Sequence, residues 1–226
     1  MGTTIFLIRH GETEGSEIKR YKGSTDIPMS ENGIKQLSRT SEFIRAEIQR
    51  RANEPALPGF QRFRSSTLAA VYSSPLSRAL KSAEIIAEAH NLKPLVIDNL
   101  RERNFGIWEG MTFMEVKEKH PDEFEAWANN PLKYSPIEGE STIEVRDRVI
   151  NALNSILDNH GKSADPADEN IVIVAHGGVN RVILCHLLGM SLEYIFRIEQ
   201  DNAAVNIIEF WDKYPVVKLI NGGPVG

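Results

Sequence analysis

Short runs of apolar and β-branched residues alternate along this chain with longer segments that carry apolar residues every three or four positions. The first pattern is typical of buried strands and the second of amphipathic helices. Their alternation favours a sheet covered by helices on both faces. We therefore predict an α/β fold, a three-layer α/β/α sandwich whose central sheet is mostly parallel. The length of 226 residues fits one domain spanning residues 1–226.

The strand pattern is predicted for residues 4–8, 68–72, 95–97, 171–175, 203–210 and 216–220, with a turn near Lys213-Tyr214-Pro215 between the last two. Helices are predicted after Ser30, from the cap at Ser73-Ser74-Pro75, over 115–129 with a break near His120-Pro121, from the capping box at Ser141 to Glu144, and over 179–188. Surface connections are predicted over 50–66 and 160–169, where polar residues, proline or glycine replace the apolar pattern.

Two of the predicted strands end abruptly in ionisable residues followed by glycine. The first strand runs into Arg9-His10-Gly11, and the strand at 171–175 runs into His176-Gly177-Gly178. In open α/β sheets, ligands bind in the crevice beyond the carboxyl ends of the strands. The pattern therefore predicts two histidines and one arginine near one binding site.

These residue types suit phosphoryl transfer. A phosphomonoester is dianionic near neutral pH, and arginine binds its oxygens through a planar fork that stays charged; Arg9 and Arg78 are the candidates. A neutral imidazole such as that of His10 can attack phosphorus, and nearby guanidinium groups favour its neutral form. Glu102 is a candidate to protonate the leaving oxygen and later to activate water. Glu12 and Glu109 are alternative acids.

Five blocks in order resemble those of the histidine phosphatase superfamily, which includes the cofactor-dependent phosphoglycerate mutases. They are Leu7-Ile8-Arg9-His10-Gly11-Glu12-Thr13, Ser73-Ser74-Pro75-Leu76-Ser77-Arg78-Ala79, Leu100-Arg101-Glu102-Arg103-Asn104-Phe105-Gly106 with Trp108-Glu109-Gly110, Gly139-Glu140-Ser141, and Ala175-His176-Gly177-Gly178. The resemblance covers nearly the whole chain. It implies the phosphoglycerate mutase-like fold and a phosphatase that uses no cofactor and no metal.

The same resemblance implies a role for each site residue. His10 is the phosphorylated nucleophile, Glu102 is the proton donor, and Arg9, Arg78 and His176 bind the phosphoryl group. Further substrate or phosphate contacts are implied at Ser16, Tyr21, Lys22, Gly23 and Gly177. Many members continue the first block with Trp-Asn, whose Asn contacts the phosphate, whereas this chain has Gly15-Ser16 there. Ser16 offers a shorter donor at that position.

Among family members, the chain is most similar to small-molecule phosphatases, in particular the α-ribazole phosphatases of cobalamin assembly. The segment 111–136 is compact and acidic, and it has no counterpart of the longer insertion that the mutases carry after the acid block. Hydrolysis of a small phosphorylated metabolite, with α-ribazole 5′-phosphate as one candidate, is therefore favoured over mutase activity. An inactive module that only binds a phosphorylated ligand is a further alternative, but such a protein should lack His10 or Glu102.

The composition limits which binding partners are expected. The net charge is −5, from 26 basic and 31 acidic residues, whereas a nucleic-acid or anionic-membrane binder usually has a basic surface. Cys185 is the only cysteine and lies in an apolar run, so we expect an inert buried thiol. No apolar stretch approaches the length of a membrane span, and we expect a cytoplasmic protein. The apolar final strands are compatible with a homodimer.

Overall fold

A computed structural model describes residues 2–54, 64–160, 168–211 and 214–223. Its strands are β1 (Gly2–Arg9), β2 (Arg64–Ser73), β3 (Leu95–Val96), β4 (Asp168–Ala175), β5 (Val205–Trp211) and β6 (Tyr214–Gly222). They form one sheet in the order β3-β2-β4-β1-β5-β6. The pairs among β3, β2, β4 and β1 are parallel, and β5 and β6 add an antiparallel edge. The fold prediction is confirmed.

Helices cover both faces of the sheet. They are α1 (Glu31–Ala52), α2 (Ser77–Glu88), α3 (Phe113–Lys119), α4 (Pro121–Asn129), α5 (Thr142–Asp158) and α6 (Gly177–Leu188). Successive strand side chains point to opposite faces. Accordingly, Phe6 and Ile8 of β1 pack in the core that contains α1 and α2, while Ile5 and Leu7 pack in the core that contains α5 and α6. The alternation in the sequence thus produces the three layers.

Helix α1 begins where the sequence indicates. The Ser30 side chain caps it by accepting a hydrogen bond from the backbone N–H of Gly33. Leu37, Ile44 and Ile48 are buried as the apolar spacing predicts. The same spacing also predicts that Ile34 faces the core, but Ile34 is 41% exposed, so that prediction was wrong.

The predicted start of α2 was wrong. Ser73 ends β2, the Ser74 N–H donates to the carbonyl of Val174 on β4, and α2 begins only at Ser77. Leu76 occupies the N-cap position and makes no side-chain capping bond. Pairing with β4 keeps the chain extended past the serines, because backbone hydrogen bonds in the sheet would be lost if the helix began earlier. The Ser74 hydroxyl is therefore available to the site described below.

Several other boundaries differ from the sequence predictions. Strand β2 begins at Arg64 and β4 at Asp168, so both extend into predicted surface connections, whose residues 55–63 and 161–167 lie outside the described ranges. His160, predicted to be a surface residue, contacts the Tyr72 hydroxyl through Nε2 and Glu169 through Nδ1. The predicted turn before β6 also falls partly on residues outside the described ranges, 212–213, and Tyr214 already belongs to the strand.

The remaining expectations concern the surface. Cys185 is buried, as expected. Among the described residues, no helix is both long and apolar enough to cross a bilayer. Strand β6 lies at one edge of the sheet and exposes Tyr214, so association through this edge stays a prediction.

Candidate active site

The parallel register of β1 and β4 brings the two histidine segments together. Arg9 pairs with Ala175, and the His10 N–H donates to the Ala175 carbonyl at 3.0 Å. His176 follows at once, and the centroids of the two imidazole rings lie 5.1 Å apart. Two strands that are distant in sequence thus deliver both rings to the same end of the sheet.

One hydrogen bond fixes the tautomer of His10. Its Nδ1 lies 2.7 Å from the Gly11 carbonyl oxygen. A carbonyl only accepts, so the proton belongs on Nδ1, and Nε2 keeps its lone pair. The ring is 8% exposed. The resulting imidazole is oriented as a nucleophile at Nε2.

The environment also keeps this ring neutral. Burial is the largest cause, followed by the positive charges of Arg9 and Arg78, and together they lower the pKa of His10 to about 3. A protonated Nε2 has no lone pair for attack. The nucleophilic form of the free protein is therefore the dominant one across the physiological pH range.

This shift predicts how stability depends on pH. In the unfolded chain His10 takes up a proton near pH 6.5, whereas in the folded protein it stays neutral down to a pH of about 3. Because only the unfolded state takes up this proton between those pH values, the unfolding free energy decreases as the pH falls from 6.5 towards 3. Replacing His10 by glutamine removes this proton uptake. Between pH 6 and 4 we expect the slope of unfolding free energy against pH to fall by up to about 1.4 kcal/mol per pH unit.

Urea unfolding at several pH values measures that slope for the wild type and for His10→Gln. The control is His186→Gln, since His186 is exposed near the end of α6. Identical slopes in the wild type and in His10→Gln would show that the folded His10 ring titrates normally.

His176 is fully buried behind His10. Its Nε2 lies 2.8 Å from the Ser74 hydroxyl oxygen, while its Nδ1 is buried and has no hydrogen-bond partner in the described part of the chain. Burial, with the neighbouring His10 next, lowers the pKa of His176 well below its usual value. A buried donor without a partner is costly, which is consistent with an acceptor that arrives from outside. The sequence did not reveal the support from Ser74, which we predicted to be a helix cap.

Arg78 ties helix α2 to the loop before α1. Its Nη1 donates to the Thr25 carbonyl, and its Nη2 donates to the carbonyls of Lys22 and Gly23. Gly23 is tightly enclosed, because a Cβ there would lie 1.9 Å from the Arg103 carbonyl oxygen. The Gly23 carbonyl supports Arg78, and Gly23 is not among the residues that line the cavity, so a direct ligand contact at Gly23 stays a prediction.

Arg9 is held by the segment that precedes β5. Its Nη1 donates to the Gln200 carbonyl, while its Nε is buried and lacks a partner among the described residues. The Nε atom lies 3.4 Å from the position that a Cβ of Gly177 would occupy. Glycine at position 177 therefore permits the Arg9 guanidinium to approach the N-terminus of α6 closely, and both residues line the cavity.

Glu102 is held at the same end of the sheet by two backbone donors. Its Oε1 accepts from the Arg103 N–H and its Oε2 from the Gly178 N–H, each at 2.9 Å. A Cβ at Gly178 would lie 2.5 Å from Oε1, so glycine permits this approach. The alternative acids lie elsewhere. Glu12 accepts from Ser30 and Asn32, Glu109 accepts from Ser24, Thr25 and Phe105, and neither lines the cavity.

A cavity of about 810 Å³ opens above these groups. The predicted contact residues Ser16, Tyr21 and Lys22 line its outer part. Ser16 is exposed, and Lys22 Nζ donates to the carbonyls of Glu14 and Gly15 at 2.8 Å. Lys22 therefore stiffens the loop that carries Ser16.

Sequence reasoning missed Arg181, which also lines the cavity. The segment 179–188 was interpreted as a wholly apolar helix. The available signal was a single arginine in that apolar run, one helical turn after Gly177. Residues one turn apart share a helix face.

Comparison with known proteins identifies the family. A model of the histidine phosphatase superfamily, branch 1, matches residues 5–53 and 53–222. The chain belongs to this superfamily. Phosphoserine phosphatase 1 of Hydrogenobacter thermophilus is 31% identical over 217 residues, which cover 96% of this chain and 91% of the relative.

Other histidine phosphatases are similar over most of their length. Glucosyl-3-phosphoglycerate phosphatase of Mycolicibacterium vanbaalenii is 29% identical over 191 residues, covering 84% of this chain and 76% of the relative. The crystal structure of the α-ribazole phosphatase from Shigella flexneri has a TM-score of 0.79, with 23% identity, and covers 99% of this chain and 98% of that one. The latter similarity supports the fold alone. The chain is thus a histidine phosphatase that acts on small phosphorylated compounds.

Proposed function

We propose that this histidine phosphatase hydrolyses a small phosphomonoester through a phosphohistidine at His10. The observation that carries the proposal is the hydrogen bond from Nδ1 to the Gly11 carbonyl, which leaves the lone pair on Nε2 of a neutral ring near the guanidinium groups of Arg9 and Arg78. In the first step, Nε2 attacks phosphorus as the bond from phosphorus to the ester oxygen breaks. Glu102 gives its proton to the departing oxygen, and the alcohol leaves.

The second step returns the enzyme to its starting state. Glu102, now ionised, accepts a proton from water as the water oxygen attacks the phosphorus of the phosphohistidine. The bond between Nε2 and phosphorus breaks, its electron pair returns to the imidazole, and inorganic phosphate leaves. Water is the only co-substrate, and the cycle needs no oxidant or reductant.

Three donors are proposed to hold the transferred group. Arg9 and Arg78 place positive charge near His10, and Arg9 Nε and His176 Nδ1 are buried nitrogens without a partner in the described part of the chain. The three outer oxygens of a phosphoryl group require such donors. Donors that are already ordered stabilise developing charge without reorganisation.

The outer wall of the cavity favours hydrolysis over mutase activity. Helices α3 and α4 form a compact aromatic cluster after the acid block, in which Trp127 contacts Trp108 and Phe124. Trp127 also lines the cavity. This segment is short, so the substrate end of the site lies between Trp127 and the loop that carries Tyr21 and Lys22, without the longer insertion characteristic of the mutases.

The substrate itself is the finer part of the proposal. The resemblance of the sequence blocks to those of α-ribazole phosphatases favours α-ribazole 5′-phosphate, whereas the name of the relative at 31% identity favours phosphoserine. A cavity of about 810 Å³ accommodates either molecule. Its lining combines apolar residues with several charged groups.

The experiment compares phosphate release with phosphoryl return. Purified protein is incubated with p-nitrophenyl phosphate, phosphoserine and α-ribazole 5′-phosphate, and separately with 3-phosphoglycerate plus bisphosphoglycerate. We expect phosphate release from at least one monoester, and a phosphohistidine that is trapped during turnover by quenching in alkali. Formation of 2-phosphoglycerate without net phosphate release would instead identify a mutase.

A further inference from the structure

We propose that Arg181 binds a carboxylate on the leaving group, so that preferred substrates are phosphomonoesters with a carboxylate close to the ester oxygen. The proposal rests on the phosphatase function above and assigns a specificity residue to the same site. It is carried by the position of Arg181 beside Glu102, by its unused donors, and by the convergence of two guanidinium groups on one glycine.

The Arg181 side chain extends towards the N-terminus of α6. Arg181 lies one turn after Gly177 on α6, and helical side chains lean towards the N-terminus. Its Nη1 lies 3.3 Å from the position that a Cβ of Gly177 would occupy, close to where Arg9 Nε approaches at 3.4 Å. Both guanidinium groups therefore border the same small space above the helix N-terminus.

Only one of the three guanidinium nitrogens of Arg181 is used by the described part of the fold. Arg181 Nε donates to the Ile198 carbonyl at 2.7 Å, which fixes the guanidinium against the wall formed by 192–202. Among the described residues, neither terminal nitrogen of Arg181 makes a hydrogen bond, although the residue is partly buried and lines the cavity. The edge of the guanidinium that binds carboxylates in a bidentate manner thus remains available.

Arg103 provides a useful contrast within the same cavity. Its Nε donates to the Glu140 carbonyl, and its two terminal nitrogens donate to Thr142 Oγ1 and the Tyr134 carbonyl. Every nitrogen of Arg103 is already used by the fold, whereas Arg181 has two that are unused. Arg181 is therefore the better candidate for a ligand contact.

Arg181 lies near the proposed position of the leaving oxygen. Glu102 Oε2 is bonded to Gly178, the residue next to the glycine that Arg181 approaches. The leaving oxygen must be near Glu102 to receive its proton. A carboxylate one to three bonds beyond that oxygen then falls within reach of Arg181, while Arg78 remains bonded to the loop at 22–25.

The charge balance is consistent with an anionic group here. Burial lowers the pKa of Arg181, and the negative charges of Glu102, Glu199 and Asp201 oppose that shift. Arg9, whose own pKa burial also lowers, repels Arg181. A substrate that supplies a phosphate to Arg9 and a carboxylate to Arg181 neutralises both partly buried cations.

The test uses two substrates that differ only in the carboxylate, O-phosphoserine and O-phosphoethanolamine. We expect the wild type to prefer phosphoserine in kcat/KM, and Arg181→Gln to reduce that preference roughly 10- to 100-fold, as expected for a charge-assisted hydrogen bond. The kcat/KM of Arg181→Gln for phosphoethanolamine and for p-nitrophenyl phosphate should differ from that of the wild type by less than about threefold. Arg181→Lys keeps the charge but not the planar fork, so its preference for phosphoserine should lie between those of the wild type and Arg181→Gln.

Arg197→Gln is the matched control, because Arg197 lies on the same wall, stacks on Tyr194 at 4.1 Å and does not line the cavity. Equal losses on all three substrates in Arg181→Gln would place Arg181 on the phosphoryl group and overturn the proposal. The proposal would also be overturned if the wild type had the same kcat/KM for phosphoserine and phosphoethanolamine. If thermal unfolding shows that Arg181→Gln does not fold, the same ratio in Arg181→Lys decides. Failure of the phosphatase function is distinct, since it appears as no phosphate release from any substrate.

Discussion

Replacing His10 by alanine is expected to lower kcat for p-nitrophenyl phosphate by on the order of 10⁴-fold or more. The substitution removes Nε2, the atom proposed to bond to phosphorus, and no other imidazole can replace it. The neighbouring ring of His176 has its Nε2 engaged by Ser74, and its Nδ1 is the proposed phosphate donor. Water would have to attack the substrate directly in the variant.

Binding should survive this substitution better than turnover. Arg9 and Arg78 still hold the phosphoryl group, so the affinity for inorganic phosphate or vanadate should change by less than about tenfold. Steady-state kinetics measure turnover, isothermal titration measures phosphate or vanadate affinity, and an alkaline quench detects the phosphohistidine. His120→Ala is the control, because His120 lies between α3 and α4, away from the cavity. Turnover within tenfold of wild type, or a phosphoenzyme in the variant, would refute His10 as the nucleophile.

The sequence was sufficient to predict that His10 and His176 lie close together, because strand ends are local features. The apolar run before Arg9-His10-Gly11 and the one before His176-Gly177 each indicate a buried strand, and parallel strands end at one edge of a sheet. Once both strands are neighbours, the histidines must meet. The same reasoning needs no knowledge of the long segments between them.

The supporting contacts were harder to predict because they depend on pairing across the sheet. Ser74 was interpreted as a helix cap, since serine before proline is a frequent start signal. Pairing with Val174 keeps it extended, and its hydroxyl contacts His176 instead. The enclosure of Gly23 by the Arg103 carbonyl, beside the hydrogen bond from Arg78 to Gly23, is visible only when the two loops are packed together.

Arg181 illustrates a different limit of the sequence. Its helix has an apolar pattern throughout, and a single charged residue in such a segment is as compatible with a surface position as with a site. What distinguishes it is the glycine one turn earlier, which lets the side chain reach the cavity. Such a relation requires both the helix and the direction of its side chains.

Arg78 should combine catalytic and structural roles, so its loss has two measurable consequences. Three of its five N–H groups bond to the carbonyls of Lys22, Gly23 and Thr25, which leaves two for the phosphoryl oxygens. We expect Arg78→Ala to lower kcat/KM about 10³-fold, as when a preordered charge is removed from developing phosphoryl charge. The unfolding free energy should fall by about 2 kcal/mol, since three carbonyls lose their donor.

The lysine variant separates these consequences. Arg78→Lys keeps a positive charge but has no planar fork, so it can restore part of the phosphate affinity while failing to hold all three carbonyls. We expect kcat/KM to recover roughly tenfold over Arg78→Ala, with little recovery of the unfolding free energy. Lys81→Ala, an exposed change one turn along α2, is the control. Full activity in Arg78→Ala would show that the guanidinium serves only the loop, and that Arg9 and His176 alone stabilise the transferred group.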